Sequence, residues 1–356
     1  MRDYEDVTTH RRRSVLPEAL QLSIARIGEE LRAGRVRQPE LTAVLSGLSG
    51  LPAEAYLRAG REIADIGALY HRHTPERSLL ASVLRSFRPI RTEDELLTET
   101  PDLAYLYLFH GNGYLRERAL ARIDGPLQSA FYFNCIAYRL NDWVEPVRRA
   151  AQACAARVFP KTPPEIIAEA AFVLLERMRH WQRWDKDSSI LEETFARADV
   201  ARCLAVRVMA ATDGSPGRVL QQALRHESMD QHLPDLSRKA VQPAVRALAL
   251  KTLIAGRALW PQGFKSEWID KSMGLSRRVV AYGERPLSRT VPVDALIAQG
   301  AADKAVTVRR VAADGLVQYR RSLGHLDDLV RRFARDRSES VRERALFILR
   351  ERGEGQ

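Results

Sequence analysis

The chain has 356 residues, of which 45% are hydrophobic and 28% are charged, a composition typical of a folded protein. This length suffices for two ordinary domains or for one extended array. No run of about 18 apolar residues occurs and the first twenty residues lack the apolar core of a signal peptide, so we expect neither a transmembrane helix nor secretion. The three cysteines lie in apolar helical contexts, which is typical of reduced core thiols in a cytoplasmic protein: Cys135, Cys154 and Cys203.

The formal net charge is +11, but only seven of the 56 basic residues are lysines. Abundant arginine and alanine also arise from a GC-rich genome, without any selection for nucleic-acid binding. The overall charge is therefore weak evidence about partners, and the position of the charge along the chain is more informative.

Residues 1–95 carry helical patterns without a clear copy of the motif that follows them. Three runs begin near a proline, from Pro17 to Gly34, from Pro39 to Gly50 and from Pro52 to His71. The segment LLASVLRSFR at 79–88 has the pattern of a diverged second helix. We interpret 1–95 as N-terminal capping or degenerate repeats, with an independent module as the alternative.

The remainder, 96–352, contains a repeated motif of a valine or leucine, an arginine, two variable residues and an alanine. Successive arginines are separated by 32, 59, 39, 32, 31 and 33 residues, so the period is close to 32. The Arg278 copy retains the arginine and the alanine but lacks the aliphatic residue. The seven arginines are Arg116, Arg148, Arg207, Arg246, Arg278, Arg309 and Arg342.

Each copy lies in a helical pattern preceded by a second one, as in 127–140 and 146–158. One such pair cannot bury both of its faces, and stacking of pairs is the usual solution. We therefore predict an all-α fold, a right-handed α-α superhelix of about seven to eight helix pairs. The motif alanine would be buried where repeats meet, at Ala119, Ala151, Ala210, Ala249, Ala312 and Ala345.

In three copies an aspartate stands six residues before the arginine, at Asp142, Asp303 and Asp336. This spelling resembles the HEAT-repeat family. The resemblance implies that the aspartate begins the turn before the second helix and that the arginines and aspartates form a hydrogen-bonded ladder. We expect a charge-assisted bond within each turn, with interruptions at the four copies that lack the aspartate: Arg116, Arg207, Arg246 and Arg278.

The stretch HWQRWDKD at 180–187 has a second, narrower resemblance, to HEAT-like DNA glycosylases that excise alkylated bases. It implies that Trp181 and Trp184 hold the lesion while Asp185 stabilises the developing positive charge. The alternative is a helix end with both tryptophans packed on the next repeat. The sequence favours this alternative, because the motif is short and isolated.

Other chemistry is not indicated. The histidine pairs His71 and His73, and His226 and His232, lack the spacing of a zinc site, so no metal is predicted. HGNG at 110–113 fits a turn before a helix better than an anion-binding nest. There is no phosphate-binding loop, nucleophile elbow or dinucleotide fingerprint, and hence no predicted catalytic residue or cofactor.

Residues 237–289 contain eleven basic and three acidic residues, which is most of the excess positive charge. If the cations share a concave face, they form an electropositive patch for an acidic partner. The alternative is a solvated ridge, with the interleaved aromatics Trp260, Phe264, Trp268 and Tyr282 in the core. The predicted patch consists of Lys239, Lys251, Lys265, Lys271, Arg277 and Arg278.

Together these patterns favour a non-enzymatic scaffold that binds a protein partner on its concave face. The alternative is a nucleic-acid-binding protein, including one with base-excision activity on alkylated DNA. Neither alternative involves a membrane.

Overall fold

A computed structural model describes residues 14–70, 91–177, 189–287, 290–322 and 327–353. Within these ranges the chain is mostly helical, as predicted, but one antiparallel pair of strands shows that the all-α prediction was wrong for 257–286. The chain forms two compact units, 1–166 and 167–356. No helix in the described ranges has the length and apolarity needed to cross a membrane.

The first unit contains eight helices in its described part and a 3₁₀ turn at Ala53–Ala55. The proline-led runs of the N-terminal region are confirmed as helical, the last of them up to Ile66, and His71 and the segment 79–88 lie outside the described residues. The helices are α1 (Glu18–Arg32), α2 (Gln38–Ser49), α3 (Tyr56–Ile66), α4 (Glu93–Glu99), α5 (Leu103–Tyr107), α6 (Gly113–Arg122), α7 (Ala130–Arg139) and α8 (Glu145–Val158).

The N-terminal helices share a core with α7. Helices α2 and α3 both pack against α7. The Asn134 side chain is fully buried there and donates to the carbonyl of Ala53 at 2.9 Å, while the Tyr132 hydroxyl donates to the carbonyl of Leu45 at 3.2 Å. The division into a capping segment 1–95 and repeats 96–352 stays a prediction.

The second unit contains the remaining helices and the strand pair. Helix α9 begins just before the boundary between the units. The elements are α9 (Pro164–Arg177), α10 (Ser189–Ala196), α11 (Ala198–Ala210), α12 (Pro216–Ala223), a 3₁₀ turn (Glu227–His232), α13 (Leu233–Lys239), α14 (Pro243–Ala255), β1 (Arg257–Asp270), β2 (Leu275–Pro286), α15 (Val293–Ala301), α16 (Val306–Gln318), α17 (Asp327–Ala334) and α18 (Glu339–Glu351).

The motif helices stack on one another in each unit, α6 with α8, α14 with α16, and α16 with α18. Small residues permit this close approach. A β-carbon added at Gly300 in α15 would lie 2.8 Å from that of Ala312 and 2.5 Å from a methyl group of Leu250. Five of the six predicted alanines are buried, namely Ala119, Ala151, Ala249, Ala312 and Ala345.

The sixth alanine, Ala210, is exposed, so that prediction was wrong. The reason is register within the helix. Arg207 is the tenth residue of α11, whereas the buried-alanine copies place their arginine fourth, as Arg148 does in α8. The sequence around Arg207 matches the motif, but Arg207 does not occupy the fourth position of its helix as the arginines of the other helical copies do.

The strand pair is a hairpin inserted between α14 and α15. Helix α14 ends at Ala255 and is capped by Gly256, whose φ of 67° is the left-handed conformation that glycine accommodates without strain. The Leu287 amide donates to the Gly256 carbonyl at 3.0 Å and closes the base of the insertion. Arg278 lies in β2, so its interpretation as a repeat arginine was wrong.

Candidate functional site

The motif arginines bind partners in two directions. In the first unit, Arg116 makes a two-bond ion pair with Asp142 of the next helix pair, at 3.1 and 2.9 Å. Its remaining terminal nitrogen donates to the carbonyls of His110 and Gly111 in its own turn. Arg148 likewise donates to the carbonyl of Asp142 at 2.9 Å. The expected carboxylate bond within each turn was therefore wrong: carbonyls close the turn, and the carboxylate links successive pairs.

The second unit repeats this arrangement over three helix pairs. Arg246 pairs with Asp303 at 2.7 and 3.0 Å, and Arg309 pairs with Asp336 at the same distances. Arg342 donates to the carbonyl of Asp336 at 2.8 Å. These residues form an uninterrupted ladder along α14, α16 and α18.

The predicted interruptions at Arg116 and Arg246 were wrong for the same reason. The aspartate six residues before a motif arginine accepts from the arginine one repeat upstream, so the first rung of a ladder needs no such aspartate. The other two copies do lie outside the ladders. Arg207 is 3.7 Å from Glu169, and Arg278 is on a strand.

The ladder aspartates are held ionised. Burial alone would raise the pKa of Asp142, but hydrogen bonds from Arg116 and the charge of Arg139 outweigh burial and leave the pKa below its ordinary value. Burial likewise raises the pKa of Asp303, but hydrogen bonds from Arg246 outweigh burial and leave the pKa below its ordinary value. Each aspartate also accepts the backbone N–H two residues onward, as Asp142 does from Val144 at 3.0 Å. These groups are structural rather than available to a ligand.

Arg285, which lies outside the repeated motif, holds the base of the hairpin. Arg285 of β2 donates to both carboxylate oxygens of Asp230, at 2.8 and 2.5 Å. It also donates to the carbonyls of Leu224 and His226, each at 3.0 Å. The insertion is thus anchored to the end of α12 and to the 3₁₀ turn that follows it.

A half-buried carboxylate, that of Glu192, lies next to this anchor. Burial raises the pKa of Glu192, but His226 and Arg225 bind it closely enough to leave its pKa below the ordinary value. The Nε2 atom of His226 lies 3.1 Å from that carboxylate. His226 therefore belongs to the support of the hairpin, because its carbonyl accepts from Arg285 and its ring binds Glu192.

The hairpin has two distinct faces, because directly paired residues project to the same side. Phe264 pairs with Val280, and Ser266 pairs with Arg278. The guanidinium of Arg278 lies 4.2 Å from the centre of the Phe264 ring, a cation–π contact. We call this side the aromatic face; its members are Phe264, Ser266, Trp268, Arg278, Val280 and Tyr282.

The opposite face carries Lys265 paired with Val279, and Glu267 paired with Arg277. Arg277 forms an ion pair with Glu267 at 2.8 Å, so its charge is locally matched. Lys265, Lys271 and Arg278 make no ion pair with any residue in the described ranges. These three cations are therefore available to an acidic group.

The predicted basic patch is only partly assembled. Lys239 ends α13 beside Asp235 at 3.1 Å, and Lys251 is exposed on α14. The other four cations are on the hairpin, where strand alternation places Lys265 and Arg277 opposite Arg278, with Lys271 in the connecting turn. The condition set for the patch, one shared concave face of helices, is not met by these four cations, because they lie on a hairpin whose side chains alternate with a period of two.

The solvated-ridge alternative required the aromatic residues of the segment to lie in the core, but Phe264, Trp268 and Tyr282 are exposed and Trp260 is half-buried. The exposed fraction of Trp268 is 55% and that of Met273, near the turn, is 72%. Apolar side chains are exposed on both faces and at the tip. The exposed set is Phe264, Trp268, Ile269, Met273, Leu275, Val280 and Tyr282.

A cavity of about 200 Å³ lies at the root of the aromatic face. Phe264, Val280 and Tyr282 form its hairpin side, and the chain at Pro261 and Gly263 continues that wall. Helices α9 and α12 provide the polar side, with Glu176, Arg218, Gln221 and Gln222. A volume of this size accommodates one or two side chains.

Two further predicted sites remain, the tryptophan and histidine residues and the HGNG segment. Trp181, Trp184 and Asp185, together with His71 and His73, lie outside the described residues. The HGNG segment is a turn, as predicted: the Asn112 side chain caps α6 by accepting from the Tyr114 amide at 3.0 Å.

No cluster of three or more metal-ligating side chains occurs in the described part of the chain. None of the three cysteines, all of which are described, forms a disulfide, and burial raises the pKa of Cys154 to about 12.

No protein-family model matches this chain, and no characterised protein matches its sequence. The hairpin and the helix array that holds it are therefore the features of this chain that bear on its function.

Proposed function

We propose that this protein is a non-enzymatic, HEAT-like scaffold that binds a protein partner, and that the hairpin 257–286 is its docking element. The proposal depends on one observation: thirty residues that add nothing to the ladder present a band of apolar and cationic side chains to solvent. Contiguous apolar surface of this kind marks interaction sites in folded proteins. The helix pairs fix the position of the hairpin through Arg285 and Asp230.

The side-chain composition of the hairpin favours a protein as the partner. Ile269, Met273 and Leu275 are exposed around the turn, and aliphatic groups gain free energy by burial against other apolar groups. Adaptable methionine and aromatic side chains with a few cations are typical of protein interfaces. This refines the predicted concave-face interface to a specific inserted element.

Nucleic acid is the second candidate, because of the aromatic face. Bases of a single strand stack on exposed rings while arginine or lysine contacts the phosphates, and Phe264, Trp268 and Arg278 provide such groups. Base excision by Trp181, Trp184 and Asp185 remains only what the resemblance to the glycosylases implies.

The proposal is tested with a short-hairpin variant of the full chain, in which residues 264–280 are replaced by Asn-Gly. This turn would join the cross-strand pair Gly263 and Ala281 and leave the Arg285 anchor in place. Proteins that copurify with tagged wild type and variant from the native host are compared by quantitative mass spectrometry. We expect a specific protein to be lost from the variant.

Trp143→Ser is the matched control, because Trp143 is a highly exposed aromatic residue of the other unit. It should retain every partner. An unchanged partner set in the short-hairpin variant would contradict the proposal. Loss of copurification after nuclease treatment, with salt-sensitive binding of labelled oligonucleotides, would favour nucleic acid instead.

A further inference from the structure

We infer that the outer edge of β2 accepts an extended, acidic segment of the partner protein as a third strand. This inference rests on the proposed function, since it specifies how the hairpin would dock a protein. Two observations support it, namely the unpaired backbone edge of β2 and the charged side chains next to that edge.

The edge of β2 is open within the described part of the chain. The sheet contains two strands, and the backbone of β1 packs against α12 and α14. No backbone N–H or C=O of residues 275–286 bonds to described backbone outside the hairpin. Alternate residues of a strand therefore present unpaired donors and acceptors, a template for strand addition.

The two edges of the hairpin differ in a way that selects β2. In β1, Pro261 lacks a backbone donor, and the pairing register shifts between Pro261 and Gly263 and again between Trp268 and Asp270. Prolines and bulges of this kind protect an edge against further pairing. From Leu275 to Arg285, β2 contains neither a proline nor a bulge.

The side chains next to this edge define the chemistry of the added strand. On the aromatic face its residues would lie beside Arg278, Val280 and Tyr282. Arg278 has no carboxylate partner in the described ranges, so a glutamate or aspartate placed opposite it gains a charge pair. An apolar residue two positions away would contact Val280 and face the 200 Å³ cavity. The matching segment thus alternates, with a carboxylate and an apolar residue on this face.

A second copy of this chain fits the edge less well than an acidic partner. Pairing of β2 with another β2 would add two more arginines to an edge that already carries Arg277 and Arg278. Of these, Arg277 is matched by Glu267 and Arg278 by no carboxylate. Charge complementarity therefore favours an acidic strand over self-association.

The first arm of the test is selection from a library of random ten-residue peptides displayed on phage. The full chain is the target, and binders to the short-hairpin variant are removed. We expect the enriched peptides to be acidic and to alternate polar with apolar residues. For the best synthetic peptide, Arg278→Glu should weaken binding at least tenfold, whereas Arg277→Glu, at the already paired residue, should weaken it less. Amide hydrogen exchange should slow in 275–285 when this peptide binds.

The second arm tests backbone pairing without altering the protein. Single N-methyl groups are placed at each amide of the selected peptide in turn. Strand addition predicts a period of two, with methylation tolerated at amides that point away from β2 and tenfold or greater loss at those that point toward it.

Three results would overturn the inference. They are failure to enrich any hairpin-dependent peptide, a methylation profile without a period of two, and sedimentation that shows a dimer of the free chain formed through β2. Competition of the peptide by oligo(dT) at equal ionic strength would assign the hairpin to nucleic acid. If the methylation profile is flat but a partner is lost from the short-hairpin variant, strand addition is rejected and the proposed function is retained.

Discussion

Arg246 and Asp303 form a two-bond ion pair across the whole inserted hairpin. They are 57 residues apart in sequence, whereas the equivalent Arg309 and Asp336 are 27 apart. The difference of 30 is the length of the hairpin, 257–286. The ladder therefore continues from one side of the insertion to the other without interruption. The hairpin and the helix array can consequently be altered separately.

Shortening the hairpin should leave the stability of the protein nearly unchanged. Replacement of 264–280 by Asn-Gly removes side chains that are mostly exposed, so the free energy of unfolding should change by less than about 1 kcal/mol. Urea unfolding followed by circular dichroism measures this. Arg285→Ala provides the contrast, because it leaves Asp230 without its cation and should cost about 1.5–3 kcal/mol.

Two ladder arginines should differ in their contribution to stability. Arg309 bonds to the Asp336 carboxylate and to two carbonyls, whereas Arg342 bonds only to carbonyls among the described residues. Arg309→Ala leaves a half-buried carboxylate unpaired, so it should cost more than Arg342→Ala, by about 1–2 kcal/mol. Urea midpoints at constant slope measure the difference, and equal costs would contradict the ladder assignment.

Overpacking should be costly at a buried motif alanine and harmless at the exposed one. Ala312 is fully buried against Gly300, so Ala312→Leu should lower the free energy of unfolding by about 1–3 kcal/mol. Ala210→Leu is the same chemical change at an exposed position and should be within about 0.5 kcal/mol of wild type. Thermal unfolding of both variants would show whether the register of the helices is correct.

Acid should destabilise the first unit through Asp142. The pKa of this carboxyl is lower in the folded chain than in the unfolded one, where it is about 3.9. The folded state thus gains stability that is fully present above the unfolded pKa and is lost as the pH falls through the folded pKa. Asp142→Asn should lower stability at pH 7 and flatten its dependence on pH below about 4. Urea titrations at pH 3 to 7 measure both effects.

Charge reversal on the hairpin should weaken partner binding without unfolding the protein. Lys265→Glu with Lys271→Glu places two negative charges at exposed positions, which rarely contribute more than about 1 kcal/mol to stability. Affinity for an acidic partner should fall, together with the salt sensitivity of binding. Lys304→Glu, at an exposed lysine in a ladder turn, is the control and should bind as wild type does.

The helix pairs and the ladder residues could be predicted from sequence because both are local. An apolar residue every three to four positions defines the buried side of a helix, and an aspartate six residues before an arginine lies in the same turn. Those patterns correctly placed five motif alanines in the core and identified Asp142, Asp303 and Asp336 as structural. The period did not separate the structural arginines from the cations available to a partner, because it also included Arg278 of the hairpin.

Tertiary structure decided which residue each arginine binds and what the segment 257–286 forms. The carboxylate of a rung comes from the next helix pair, which no spacing within one repeat could indicate. The length of the hairpin nearly equals one repeat, so Arg278 lies by coincidence at the spacing of a repeat arginine. The period therefore did not distinguish the hairpin from a helix pair. Glycines at 263 and 274 and the β-branched pair at 279 and 280 were a hairpin signal. That signal was weak, because an exposed hairpin with apolar side chains on both faces has no single buried side to produce clear alternation.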